Sequence, residues 1–192
     1  LRHWPNLKEW TLRGLSRAAS ERLIRCVLGT SISDSTIARI ATQAAGNALL
    51  LEELIRAEKE SGSEQVPATV LAILQARMQR LEPRTRSVLG KASVFGRRFW
   101  RGGVLALQDS VRPDDVDIEL QLLAQSEIIA PNKTSHIRGD VEYSFRHPLM
   151  SDAAHSLLLD DQKRRYHRLA GLYLEQAGEL DPLVIAEHFM AS

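Results

Sequence analysis

Residues 126–147, SEIIAPNKTSHIRGDVEYSFRH, decide how the second half of the chain is organised. The runs EIIAP and VEYSFR both alternate, the second with Val141, Tyr143 and Phe145 on one face. The polar stretch NKTSHIRGD separates them, so the pair reads as a hairpin with a solvated loop. Arg146, His147 and Pro148 follow directly, and proline suits the first turn of a helix because its missing N–H is unpaired there in any case. PLMSDAAHSLL then continues at helical spacing. His147 therefore stands where a strand feeds a helix start. An imidazole N–H beside backbone N–H groups at that place suits an anion such as a phosphate oxygen. The other use of the same residue is to cap the turn.

Working outward, three helical segments precede the hairpin. Pro83 opens RTRSVLGKASVF, a turn FGRRF follows, and a short helix is expected near Val104–Leu107. RPDDVDIELQLLAQSE is the third helix. Three helices and then a hairpin is the winged-helix order, with the hairpin loop as the wing. After the hairpin, PLMSDAAHSLL, DQKRRYHRLAGLYLEQAG and PLVIAEHFMA read as three more helices.

A separate helical unit is expected over residues 16–81. Ser16 caps a helix with Leu23, Ile24, Val27 and Leu28 on its apolar side, stopped by Gly29. Asp34 caps the next, which carries Ile37, Ile40, Ala41 and Ala44 and stops at Gly46. Asn47 starts ALLLEELIRAEKE, with Leu50, Leu51, Leu54 and Ile55 buried. Pro67 opens the fourth helix, whose apolar positions are Val70, Leu71, Leu74, Met78 and Leu81. Before this unit EWTLRGLS alternates weakly and reads as one short strand, which needs a sheet from elsewhere. The chain begins with Leu1 and not Met, which suggests a piece of a longer protein.

Composition narrows the function classes. The chain has 192 residues, is 44% hydrophobic and carries a net charge of +1, so no polyanionic partner is implied. Cys26 is the only cysteine, excluding an internal disulfide, and its place in ERLIRCVLG suggests a small core residue. No segment is long and apolar enough to span a bilayer, and a reducing, cytoplasmic setting is expected. The six histidines have no metal-site spacing, so neither a metal nor a catalytic set is expected. No glycine-rich phosphate loop ending in Gly-Lys-Ser or Gly-Lys-Thr is present. ALLLEE and SLLLDD imitate magnesium-binding strands, but Glu52 can pair with Arg56 on its own helix and Asp160-Asp161 can cap a basic helix.

Together AAGNALLLEEL, VPATVLAILQARMQRLEPRTRSVLGKASVFGRRF and YSFRHPLMSDAAHSLLLDDQKRRYHRLAGLYLE resemble the C-terminal half of a STAND-class signal-transduction ATPase module. These belong to the AAA+-like NTPases and in bacteria are often fused to serine/threonine kinases, nucleotide cyclases or LuxR-type regulators. The resemblance implies a mostly α chain. Residues 1–15 would be the last strand of an absent P-loop domain, 16–81 a helical lid, 82–158 a winged helix, and 159–192 the start of a helical, TPR-like repeat region. It implies a fragment without catalytic activity that closes over ADP or ATP with Mg held by the upstream P-loop domain and relays its state to an effector. Protein partners would bind through the repeats. The family's Gly-x-Pro motif, whose proline packs on adenine, maps to Gly46-Asn47-Ala48, with Ala48 in place of the proline. Gly46-Asn47 is equally explained as a helix stop and a cap. The Met-His-Asp motif of related switches, whose histidine reaches the β-phosphate of ADP, maps to the Arg146-His147-Pro148 junction, with Pro148 where that motif has its acid. A different class of function, a winged-helix transcription regulator on DNA, is the alternative. Its recognition helix, PDDVDIELQLLAQSE, would carry Asp114, Asp115, Asp117, Glu119 and Glu127 and no Lys or Arg, and phosphates would repel those acids.

Overall fold

The computed structural model describes residues 13–29, 32–61, 69–108, 113–178 and 181–192. These residues are mostly helical, with ten helices and one small three-stranded sheet among them. The chain divides into two compact units, Leu1–Ile73 and Leu74–Ser192.

The first unit holds α1 (Arg17–Leu28), α2 (Asp34–Ala44), α3 (Ala48–Ser61) and the first turn of α4 (Val70–Gln79). Ser16 caps α1, its hydroxyl accepting from the Ala19 N–H at 3.2 Å. The α2 cap is Ser33 and not Asp34: the Ser33 hydroxyl accepts from Thr36 N–H at 3.1 Å, and Asp34 lies inside the first turn. Ile37, Ile40, Ala41 and Ala44 bury as their spacing requires, against Ile24, Leu51 and Leu54. In α1 the expected stripe is narrower. Only Ser20 and Ile24 are buried, while Leu23, Val27 and Cys26 are exposed. The first half of the expected strand EWTLRGLS falls outside the described residues, and the second half, residues 13–16, is not in a strand. Pro67 also lies outside them.

The second unit continues α4 and adds α5 (Pro83–Ser93), β1 (Arg98–Trp100), α6 (Arg101–Ala106), α7 (Pro113–Gln125), β2 (Ile129–Pro131), β3 (Glu142–Phe145), α8 (Pro148–Ser156), α9 (Asp160–Ala177) and α10 (Pro182–Met190). The sheet order is β1-β3-β2, with both pairings antiparallel. Strand β1 lies in the stretch read from sequence as a turn. Gly96, at φ 85°, does make a turn, but the next residues pair with β3, Phe99 opposite Tyr143. Three residues are too few for a period of two to register in a sequence. α4 stops at Gln79, short of Leu81. Phe99 and Phe145 are fully buried in the core with Leu89, Val104, Leu120 and Leu123. Tyr143 stacks on Phe99 at 5.6 Å, so Tyr143 and Phe145 share a face as expected, whereas Val141 is exposed.

α9 packs onto the rest of the second unit. Its Tyr166 and Ala170 pack with Val94 and Leu107, and its Leu174 packs with Trp100 and Ile137. α10 adds Val184 and Ile185 to the second cluster. Asp160 and Asp161 sit in the first turn of α9 and not at its cap. Leu159 precedes them, its N–H donating to the Gln162 side chain at 3.1 Å. Among the described residues no helix is long and apolar enough to cross a membrane.

Candidate functional site

The residues singled out from sequence fall in both units. In the first, Ala45 ends α2 in the left-handed region and Gly46 follows at φ 80°. The Gly46 carbonyl accepts from the Leu15 N–H at 2.8 Å. A Cβ on Gly46 would stand 2.8 Å from the Leu15 carbonyl oxygen. Conformation and close approach thus both demand glycine here. Asn47 caps α3, its Oδ1 accepting from the Leu50 N–H at 3.0 Å. Ala48 is the first residue of α3 and is exposed. It lines an open groove of about 530 Å³ together with Leu23, Val27, Ile55 and Lys59. The exposed apolar side of α1 therefore forms a wall of this groove. Glu52 and Arg56 lie at the same groove and pair with each other at 3.4 Å, as the spacing predicted.

In the second unit His147 is the N-cap of α8. Its Nδ1 accepts from the Leu149 N–H at 3.1 Å. Pro148 has no N–H, and the Met150 N–H donates to the His147 carbonyl at 3.0 Å. The nearest backbone donors at this helix start are therefore engaged by the cap. A neutral imidazole whose Nδ1 accepts carries its proton on Nε2, and that N–H has no partner among the described residues. Arg146 is exposed, with Glu127 at 3.9 Å, and its N–H donates to the Ile128 carbonyl. His147 and Arg146 lie in a different unit from Gly46, Asn47 and Ala48.

Three polar clusters of the second unit were not singled out from sequence. The first surrounds Glu142, which is buried on β3. It accepts from Asn132 Nδ2 at 2.7 Å, from the His136 backbone N–H at 2.9 Å and from His136 Nδ1 at 2.7 Å. Burial pushes its pKa up, but these donors together hold it below the usual glutamate value. His136 thus carries its proton on Nδ1, and its Nε2 can accept from Arg98 Nη1 at 3.2 Å. The result pins the hairpin loop to β3.

The second cluster is built on Asp140. Its carboxylate accepts from the Gly102 N–H at 3.0 and 3.1 Å, from the Val141 N–H at 2.7 Å and from the Tyr173 hydroxyl at 2.5 Å. One side chain so joins the hairpin loop, the start of α6 and α9. Burial, and the carboxylate to which it donates, push the Tyr173 hydroxyl's pKa up. Gly102 and Gly103 make the approach possible, since a Cβ on either would collide with Asp140 or with the Phe95 ring. The Gly-Gly pair in WRGGVLAL was the available signal. Beside it Arg101 and Asp117 form a two-point ion pair at 2.5 and 2.7 Å. The bond between them raises the arginine pKa and lowers that of the aspartate.

The third cluster is a row of histidines. His155 on α8 meets His167 on α9 edge to face at 5.6 Å, and His167 Nδ1 lies 3.1 Å from His188 Nδ1 on α10. Burial first, then the neighbouring imidazoles His188 and His155, lower the His167 pKa to about 4. Burial also lowers His155 and His188. Among the described residues no group of three or more His, Cys, Asp or Glu is arranged to hold a metal ion. No family model, curated protein or solved structure matches the chain.

Proposed function

We propose that the chain is the regulatory part of a STAND-class signalling ATPase, a helical lid and a winged helix that close over nucleotide held by an upstream P-loop domain and relay its state to an effector. The winged-helix assignment is supported by the element order α5-β1-α6-α7-β2-β3 and by the sheet order β1-β3-β2. The helices α9 and α10 would begin a TPR-like region for protein partners. The observation that carries the nucleotide reading is the groove beside Ala48. Leu23, Val27 and Ile55 give it apolar walls, which suit the face of a purine, and Lys59 lies at the same opening. Ala48 is the position that the sequence resemblance sets against adenine. At the second position, the Nε2–H of His147 is the donor that would meet a phosphate oxygen, alone and without the backbone groups of α8.

In mechanism this is a switch with two states, in which ADP contacts favour the closed form and their loss releases it. The chain's own residues bind and position; they perform no bond-breaking step, and the fragment by itself hydrolyses no ATP. The complete protein, P-loop domain included, is the material for the test. Ala48→Glu places a charge in the groove at an exposed first-turn position where an acid favours the helix. Calorimetric titration of ADP should show affinity reduced by roughly tenfold or more. His147→Ala removes one hydrogen bond to a charged group, worth roughly 1.5–3 kcal/mol, so affinity should fall about ten- to a hundredfold. Dissociation constants equal to wild type in both variants sink the reading. Sequence-selective, salt-dependent binding of duplex DNA by the fragment would replace it with a transcription regulator.

A further inference from the structure

The second unit holds a cavity of about 450 Å³ that the nucleotide reading leaves without a role. Its size is within the usual range for small-molecule sites. Phe95, Trp100, Leu174 and Val184 supply apolar walls, and Arg97 and Arg98 are the basic residues of its lining. Arg97 is exposed, and its side chain has no hydrogen bond or ion pair among the described residues. Arg98 is held in place: its Nη1 donates to His136, which is itself fixed by the buried Glu142. Only one of the Arg98 N–H donors is used there, and the fork retains others for a ligand.

Two further features bear on the ligand's chemistry. Asp181 lines the same cavity, so among its lining side chains two arginines stand beside one aspartate. That balance fits a monoanion better than a polyphosphate. The indole N–H of Trp100 is buried with no acceptor among the described residues, although Trp100 forms part of the wall. An unpaired buried donor is costly, and its resonance is a local reporter for this wall.

We propose that this cavity binds a small organic acid, with its carboxylate on Arg97 and Arg98 and its apolar body against Phe95, Trp100 and Leu174. A planar carboxylate matches the guanidinium fork in two-point geometry. The site lies wholly in the second unit, and its test is independent of the nucleotide reading. The probes are 4-phenylbutyrate, its uncharged amide, and inorganic phosphate. Each is titrated into the ¹⁵N-labelled chain while the Trp100 indole N–H resonance is followed. Trp4→Phe and Trp10→Phe assign that resonance among the three indoles. The carboxylate should give a saturable shift of the Trp100 signal, and the amide should bind roughly tenfold more weakly or worse. Arg97→Ala, which removes a side chain without partners, should weaken the carboxylate by roughly tenfold. Arg98→Lys, which keeps charge but loses the fork, should do likewise. No saturable shift below about 10 mM overturns the proposal. So does equal binding of the amide, unchanged binding in both variants, or phosphate binding as tightly as the carboxylate.

Discussion

Asp140→Ala is the substitution whose effect the structure specifies most fully. Three donors converge on this carboxylate: the Gly102 N–H, the Val141 N–H and the Tyr173 hydroxyl. A hydrogen bond to a charged group contributes about 1.5–3 kcal/mol when it is well shielded. Asp140 is half-buried, and water can reach part of what is vacated, so about 1 kcal/mol per donor is the appropriate scale. The expected loss is therefore about 3 kcal/mol. For a chain of this length that corresponds to a fall in Tm of roughly 6–12 °C. Tyr173→Phe removes one donor and leaves the other two served, so it should cost about 1 kcal/mol. Asp140→Asn keeps one oxygen acceptor and should fall between the two. Thermal unfolding followed by circular dichroism ranks the three variants. Amide exchange at Gly102 and Val141 locates the effect, since both should exchange faster in Asp140→Ala. A loss under about 0.5 kcal/mol, or a Tyr173→Phe variant as damaged as Asp140→Ala, would refute the idea that this carboxylate joins the hairpin loop, α6 and α9.

The histidine row predicts acid sensitivity. The His167 pKa lies at about 4 in the folded chain against 6.5 for the free side chain, so the unfolded state binds more protons in between. Stability is complete above about 6.5 and declines as the pH falls towards about 4. The full shift corresponds to about 3 kcal/mol, and partial exposure reduces this to roughly 1–2 kcal/mol. Urea unfolding at several pH values should show the decline, and His167→Gln should flatten it. Gly46→Ala sets an L side chain at φ 80° with its Cβ 2.8 Å from the Leu15 carbonyl oxygen. A loss of about 2–4 kcal/mol is expected in denaturant titrations.

The helices were legible in the sequence because their signals are local. Periodicity at Ile37, Ile40, Ala41 and Ala44, the hydroxyl of Ser16, the amide of Asn47 and the prolines at Pro83 and Pro148 each act within one or two turns. The hairpin was legible for the same reason, since strand alternation and a polar loop occupy one short stretch. His147 could be placed at a strand-to-helix junction from sequence. Which of its nitrogens is engaged depends on where the Leu149 N–H points, and folding supplied that.

What only the tertiary structure decided involves partners distant along the chain. Strand β1 exists because β3, more than forty residues later, offers a matching row of donors and acceptors. Leu23 and Val27 satisfy the helical period yet remain exposed, because the neighbouring helices cover only the side of α1 that carries Ser20 and Ile24. Glu142 reads as a solvent-facing strand residue, but Asn132 and His136 bring it three donors and make its burial tolerable. Asp140 and Tyr173 show no mutual signal in the sequence at all. A period reports which face of an element is apolar, and only the packed neighbours determine which polar atoms on the other face find each other.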